Sequence, residues 1–203
     1  MTEPQFQILV WLSYRIAATF AFGLPLFLLI WAKRSNLRSI DRLLSIYWKV
    51  SSLYLISLLF LSVESQLGQV ISLIAPILMV SSIWFWFDLN EEIDEMPAHK
   101  PIALTTRIWR WTLSYWCVLN TGLHLFSWRC LNSINENYCD TWREIPFNSF
   151  MTTKNIIKFI LDGNWSTGFA TFFAYLALIL YLIGLLQWLI IQLPKNGRFA
   201  GKF

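Results

Sequence analysis

The sequence predicts an all-α fold: a polytopic membrane bundle of about five transmembrane helices, N-terminus outside and C-terminus inside. Three observations predict it. Of 203 residues, 56% are hydrophobic and only 14% charged, a balance that soluble domains do not show. The apolar residues fall in runs of about 20, the length a helix needs to cross roughly 30 Å of hydrocarbon. Lys and Arg also segregate between alternate loops, which sets orientation by the positive-inside rule.

The spans expected are 8–32, 44–63, 70–87, 108–128 and 168–193, in a single membrane domain over 1–203. The first is too long for a cleavable signal peptide, contains Arg15, and follows Glu3 with no basic residue before it. Between the first and second spans lie Lys33, Arg34, Arg38 and Arg42. Lys100, Arg107 and Arg110 lie around the turn from the third to the fourth, and Lys195, Arg198 and Lys202 follow the fifth. Those ten oppose four on the other side, Arg129, Arg143, Lys154 and Lys158, all in the outer loop 129–167. Within that loop Phe150, Ile156, Ile157, Ile160 and Leu161 recur on one face with Lys154 and Lys158 on another, which predicts a short interfacial helix. Cys130 and Cys139 lie there too, with eight residues between them; an oxidising compartment would pair them, and the alternative is two free thiols. Pro25 and Pro76 predict kinks, and the serines of the second and third spans predict close helix packing.

The third span runs into the stretch WFWFDLNEEIDEMP. At 100° per residue Asp88, Glu91, Glu92, Asp94 and Glu95 share one arc, and Phe85, Leu89, Ile93 and Met96 another. The pattern predicts that the helix continues for two turns as an amphipathic extension until Pro97 stops it. The acids admit four readings: neutralisation by Arg107, Arg110 or the first loop; a docking surface for a basic partner; an oxygen-only cation site from Asp88, Glu91, Glu92 and Glu95; or no special role. The cation site lacks the second acid cluster that a diphosphate-handling membrane enzyme needs, so no metal is expected.

Polar residues inside spans are functional suspects. Arg15 and Lys49 either snorkel to the interfaces or pair, Arg15 with Glu64 and Lys49 with Asp88. A carrier or channel for an anionic solute would use both as its lining, although no carboxylate lies in mid-membrane. His124 is the sole histidine within a span. It either hydrogen-bonds a neighbour such as Asn120 or a facing Tyr or Ser, or gives a single axial ligand to chlorophyll or haem; beyond that no cofactor is expected. No nucleophile sits with a base, and Cys-x-x-Cys, glycine-rich phosphate cradles and His-Glu-x-x-His are all missing from the sequence. The basic residues are juxtamembrane, which argues against nucleic-acid binding. An enzyme is therefore not expected.

Several stretches together, VWLSYRIAATFAFGLPLFLLIW, LLSIYWKVSSL, WFWFDLNEEIDEMP with the following RIWRW, and YCDTWREIP, resemble a family of uncharacterised multi-spanning integral membrane proteins of cyanobacteria and plastids. The resemblance transfers no activity and no catalytic residue. It implies a thylakoid or plasma membrane of a photosynthetic cell, with the outer loop facing lumen or periplasm. The function expected is that of a non-catalytic accessory or assembly protein of a membrane complex, docked through the acidic helix end. Its partners would be the lipid bilayer and another membrane protein complex, a photosynthetic one under the resemblance.

Overall fold

The structure is a computed structural model that describes residues 3–63, 65–97, 100–126 and 167–191, together with 144 and 147–148. Every regular element among them is helical. The first membrane-length helix has three parts: α1 (Glu3–Ile16), a π-helical segment (Ala17–Gly23) and α2 (Leu24–Arg34). Then come α3 (Arg38–Ser62), α4 (Gln66–Trp84), the short α5 (Phe87–Glu95), α6 (Pro101–Phe126) and α7 (Thr167–Ile191). Among the described residues four helices are long and apolar enough to cross a membrane: Gln7–Arg34, Arg38–Ser62, Gln66–Trp84 and Gly168–Trp188. α6, which covers the expected fourth span as far as Phe126, is 26 residues long. It interleaves its apolar residues with Arg107, Arg110, Asn120, His124 and a series of hydroxyls, which lowers its average apolarity.

α3 is the hub, packed against α2, α4, α5 and α7. Its buried side chains Ile40, Leu43, Leu44, Tyr47, Tyr54, Phe60 and Leu61 recur at helical spacing. Along α3, Ser51, Ser57 and Ser62 fold their hydroxyls back onto carbonyls three residues upstream in their own helix. Ser72 and Ser82 of α4 do the same. A serine satisfied in this way is a small, nearly apolar surface, which lets two helices approach closely without an orphaned hydroxyl in lipid. At the α3–α4 turn the approach is closest at Gly68, where an added Cβ would lie 2.7 Å from the Leu61 nitrogen.

The α2–α3 turn is closed by Asn36 in the left-handed region (φ 52°). The Leu37 N–H reaches Ala32 O at 3.1 Å and the Asn36 N–H reaches Lys33 O at 3.3 Å, a Schellman ending that satisfies the last carbonyls of α2.

The expected kink at Pro25 takes a more specific form. Proline has no N–H to give, and Phe20 and Ala21 stand five and four residues upstream of it, where a π or an α register would seek that donor. Both carbonyls are met by side chains instead: Trp109 Nε1 donates to Phe20 O at 2.9 Å, and the Tyr47 hydroxyl to Ala21 O at 2.7 Å. The two donor rings meet edge-on, centroids 5.1 Å apart. α4, by contrast, is helical through Pro76.

The expected two-turn extension of the third helix is corrected. α4 ends at Trp84, and Trp86 takes an extended conformation (φ −86°, ψ 101°) from which α5 starts afresh. The break occurs because Trp86 is buried, edge-on between Phe85 and Trp188 of α7 at centroid distances of 5.2 and 5.7 Å. A continuous helix could not place that ring in the α7 contact and also lay Leu89 and Ile93 onto the bundle. The expected outer-loop helix, Cys130, Cys139 and Glu64 lie outside the described residues.

Candidate partner interface at the acidic helix

α5 is fixed on its inner side by packing and at its end by charge. Leu89 and Ile93, four residues apart, are fully buried against the core. Asp88 in the first turn complements the helix dipole. Met96 turns extended (ψ 138°) ahead of Pro97, as residues before proline do. Arg107, reaching back from α6, shares its Nη2 among Ile93 O at 2.9 Å, Asp94 O at 2.6 Å and Met96 O at 2.8 Å. A guanidinium across the last carbonyls caps the C-terminal end of α5 and opposes its dipole.

Arg110, one turn along α6, is only 2% exposed. Its guanidinium lies over the Trp84 ring, 4.5 Å from the centroid, and Nη1 stands 3.6 Å from Asp94 Oδ1. Arg107 Nε is 3.9 Å from the same oxygen. Trp84 is held in turn by its Nε1 donating to Ser114 Oγ at 2.8 Å. One carboxylate thus answers two cations at ion-pair distance, the Trp84 face lies under Arg110, and Arg110 Nε and Nη1 are buried without a hydrogen-bond acceptor among the described residues.

This arrangement divides the five acids. Asp94 is engaged in holding α5 to α6. Glu91, Glu92 and Glu95 are exposed, and among the described residues no ion pair engages them. Asp88 is half-buried. Among the described residues no group of three or more His, Cys, Asp or Glu is arranged to hold a metal ion. The result is a short rigid helix presenting carboxylates to the surroundings.

The other sequence-predicted residues lie apart from it. Arg15 is exposed, 6.0 Å from the centroid of the Trp11 ring. Lys49 is exposed. Asn120 and His124 sit in a buried polar cluster between α1, α4 and α6. Ser13 Oγ donates to Asn120 Oδ1 at 2.7 Å, and Trp116 Nε1 to Ser13 O at 3.2 Å. His124 Nδ1 stands 3.4 Å from Ser72 Oγ. His124 is 5% exposed. Cys117 is a buried free thiol.

One of the four readings of the acids paired them with Arg107, Arg110 or the first loop; none anticipated the carbonyl cap or the stacking of Arg110 on Trp84. Sequence reasoning also missed the donors Tyr47 and Trp109; Pro25 was the available signal, since a proline within a span implies orphaned carbonyls that a neighbour must meet.

A family model described as a protein of unknown function (DUF3177) matches residues 7–201. No curated protein and no solved structure matches the chain.

Proposed function

The chain belongs to the DUF3177 family of proteins of unknown function, and on that premise we propose that it is a non-catalytic accessory or assembly protein that docks onto a membrane complex through α5. The observation that carries this reading is the division of labour among the acids. Asp94 fixes the helix, while Glu91, Glu92 and Glu95 face outward from a backbone held at both ends. A carboxylate row at a set position and angle recognises a basic segment by shape as well as charge, and steers its approach. In this reading five helices cross the membrane, α6 among them, with α5 and the basic loops at the cytoplasmic or stromal face. The resemblance to cyanobacterial and plastid proteins makes the complex a photosynthetic one, in a thylakoid or plasma membrane.

The test is a mild-detergent pull-down of tagged protein, reading the composition and absorption spectrum of the eluate together. Wild type should bring down stoichiometric membrane subunits, and the triple variant E91Q/E92Q/E95Q should lose most of them while remaining in the membrane fraction. Equal recovery with the triple variant would refute docking through α5.

A further inference from the structure

Arg107 and Arg110 carry more hydrogen-bond donors than their neighbours in the fold accept. Asp94 Oδ1 stands 3.6 Å from Arg110 Nη1 and 3.9 Å from Arg107 Nε, separations of charge attraction rather than of hydrogen bonding. Arg110 Nε, Arg110 Nη1 and Arg107 Nε are all buried without an acceptor among the described residues. Arg110 is itself almost wholly out of water, where unmet donors on a charged group are costly. Three N–H groups on two guanidiniums, answered by one carboxylate, suit an anion that offers several oxygens.

The surroundings say which anion. The seam between α5 and α6 lies where indole rings gather: Trp84, the last residue of α4, is 5.2 Å from Trp111 by ring centroids, and Trp86 is 5.7 Å from Trp188. A tryptophan belt of this kind marks the headgroup level of a membrane. Beside Arg107 an apolar lane runs along α6. Leu104, Ile108, Trp111, Tyr115 and Val118 are all exposed, and their three- and four-residue spacing puts them on one face. The lane gives an acyl chain a path away from the arginines. Glu91, Glu92 and Glu95 are exposed to water, which screens their repulsion of a second anion.

We propose that this seam binds an anionic phospholipid, whose phosphate oxygens accept from Arg107 Nε and Arg110 Nε and Nη1 while an acyl chain lies along the α6 lane. The group displaced is the Asp94 carboxylate, already 60% exposed and hydrogen-bonded to neither arginine; it turns to water. Arg107 keeps its carbonyl contacts through Nη2, so α5 stays capped while Nε serves the phosphate. The site rests on α6 crossing the membrane, as proposed above, and not on docking through the acids.

Lipid titration read by native mass spectrometry tests the site, with full-length protein in a neutral detergent. Separate arms add phosphatidylglycerol, a diacylglycerol with the same chains, and inorganic phosphate. Phosphatidylglycerol should bind about tenfold or more tightly than diacylglycerol, the worth of one charge-assisted hydrogen bond. Inorganic phosphate at equal concentration should not compete with it. Arg110→Met should reduce phosphatidylglycerol binding to the diacylglycerol level. Asp94→Asn should strengthen it several-fold, because the competing carboxylate is gone, and a merely weakened fold would not bind lipid better. Four results would each overturn the site: equal binding of the two lipids, competition by inorganic phosphate, undiminished binding in Arg110→Met, or no gain in Asp94→Asn. The pull-down reads docking, and side-specific labelling reads topology, so failure of either is told apart from failure of the site.

Discussion

Arg110 is a charge taken almost wholly out of water, and its partner is not: Asp94 keeps 60% of its side chain exposed. Removing either should therefore have unequal effects. Asp94→Asn leaves a buried guanidinium with no counter-charge, and the destabilisation should be about 1–2 kcal/mol, below the full loss for a buried pair because water screens the aspartate side. Arg110→Met keeps an unbranched side chain over Trp84 and removes the charge together with its desolvation penalty, so it should cost less than Asp94→Asn. Unfolding in mixed micelles would rank the two, and a larger loss for Arg110→Met would contradict this account. Gly68→Ala should destabilise by about 1–3 kcal/mol in the same measurement, since its methyl would lie 2.7 Å from the Leu61 backbone nitrogen, nearer than to the Leu61 side chain at 3.0 Å. At this scale the sequence was partly legible. Opposite charges on either side of a hairpin announce their pairing, but nothing in the spacing announces that Trp84 will lie under Arg110, because that needs the helices' relative rotation.

At the scale of elements, the π segment and α5 carry the tests. If Tyr47 serves the carbonyl that Pro25 leaves short of a donor, the two residues are coupled. Tyr47→Phe should cost about 1 kcal/mol in the native background and less in Pro25→Ala, where the restored N–H competes for the same acceptor. A double-mutant cycle should give a coupling of at least about 0.5 kcal/mol; a coupling of zero would separate the hydroxyl from the proline. For α5, Ile93→Ala should detach the helix by emptying a fully buried site, at a cost of about 2–4 kcal/mol. Cleavage by a glutamate-specific protease within Glu91–Glu95 should then speed up before the bundle unfolds. The break at Phe85–Trp86 was illegible for a physical reason. Phe85, Leu89 and Ile93 follow one another at intervals of four, so local periodicity runs straight across it. The interruption comes from Trp188, about a hundred residues later in the chain.

For the whole molecule the legible signal was apolar run length. The runs expected at 8–32, 44–63, 70–87 and 168–193 fall on the four helices that, among the described residues, are long and apolar enough to cross a membrane, a length that membrane thickness constrains independently of packing. Packing does not share that independence, and α6 shows the difference: its polar positions depress any average, yet Trp109, Leu113, Trp116 and Cys117 are buried in the core. The topology makes one expectation checkable in native membranes. In a cysteine-free background, an impermeant maleimide should label cysteine at position 92 from the same side as cysteine at 202, and cysteine at 66 from the opposite side. Labelling of 66 and 92 from one side would overturn the orientation.

The first helix also implies an order of events at the ribosome. It enters the bilayer before Tyr47 and Trp109 have been made, and chains fold from the N-terminus as they emerge. Until then Phe20 and Ala21 carry carbonyls that Pro25 cannot serve, in a medium that offers no water to take its place. Newly made, that helix is an incomplete object, held back from its native form until α3 and then α6 arrive with the missing donors. Biogenesis of the bundle is thus sequential by chemistry as well as by translation, and a chain cut before α6 should give an N-terminal helix that insertion machinery or a chaperone still has to shelter.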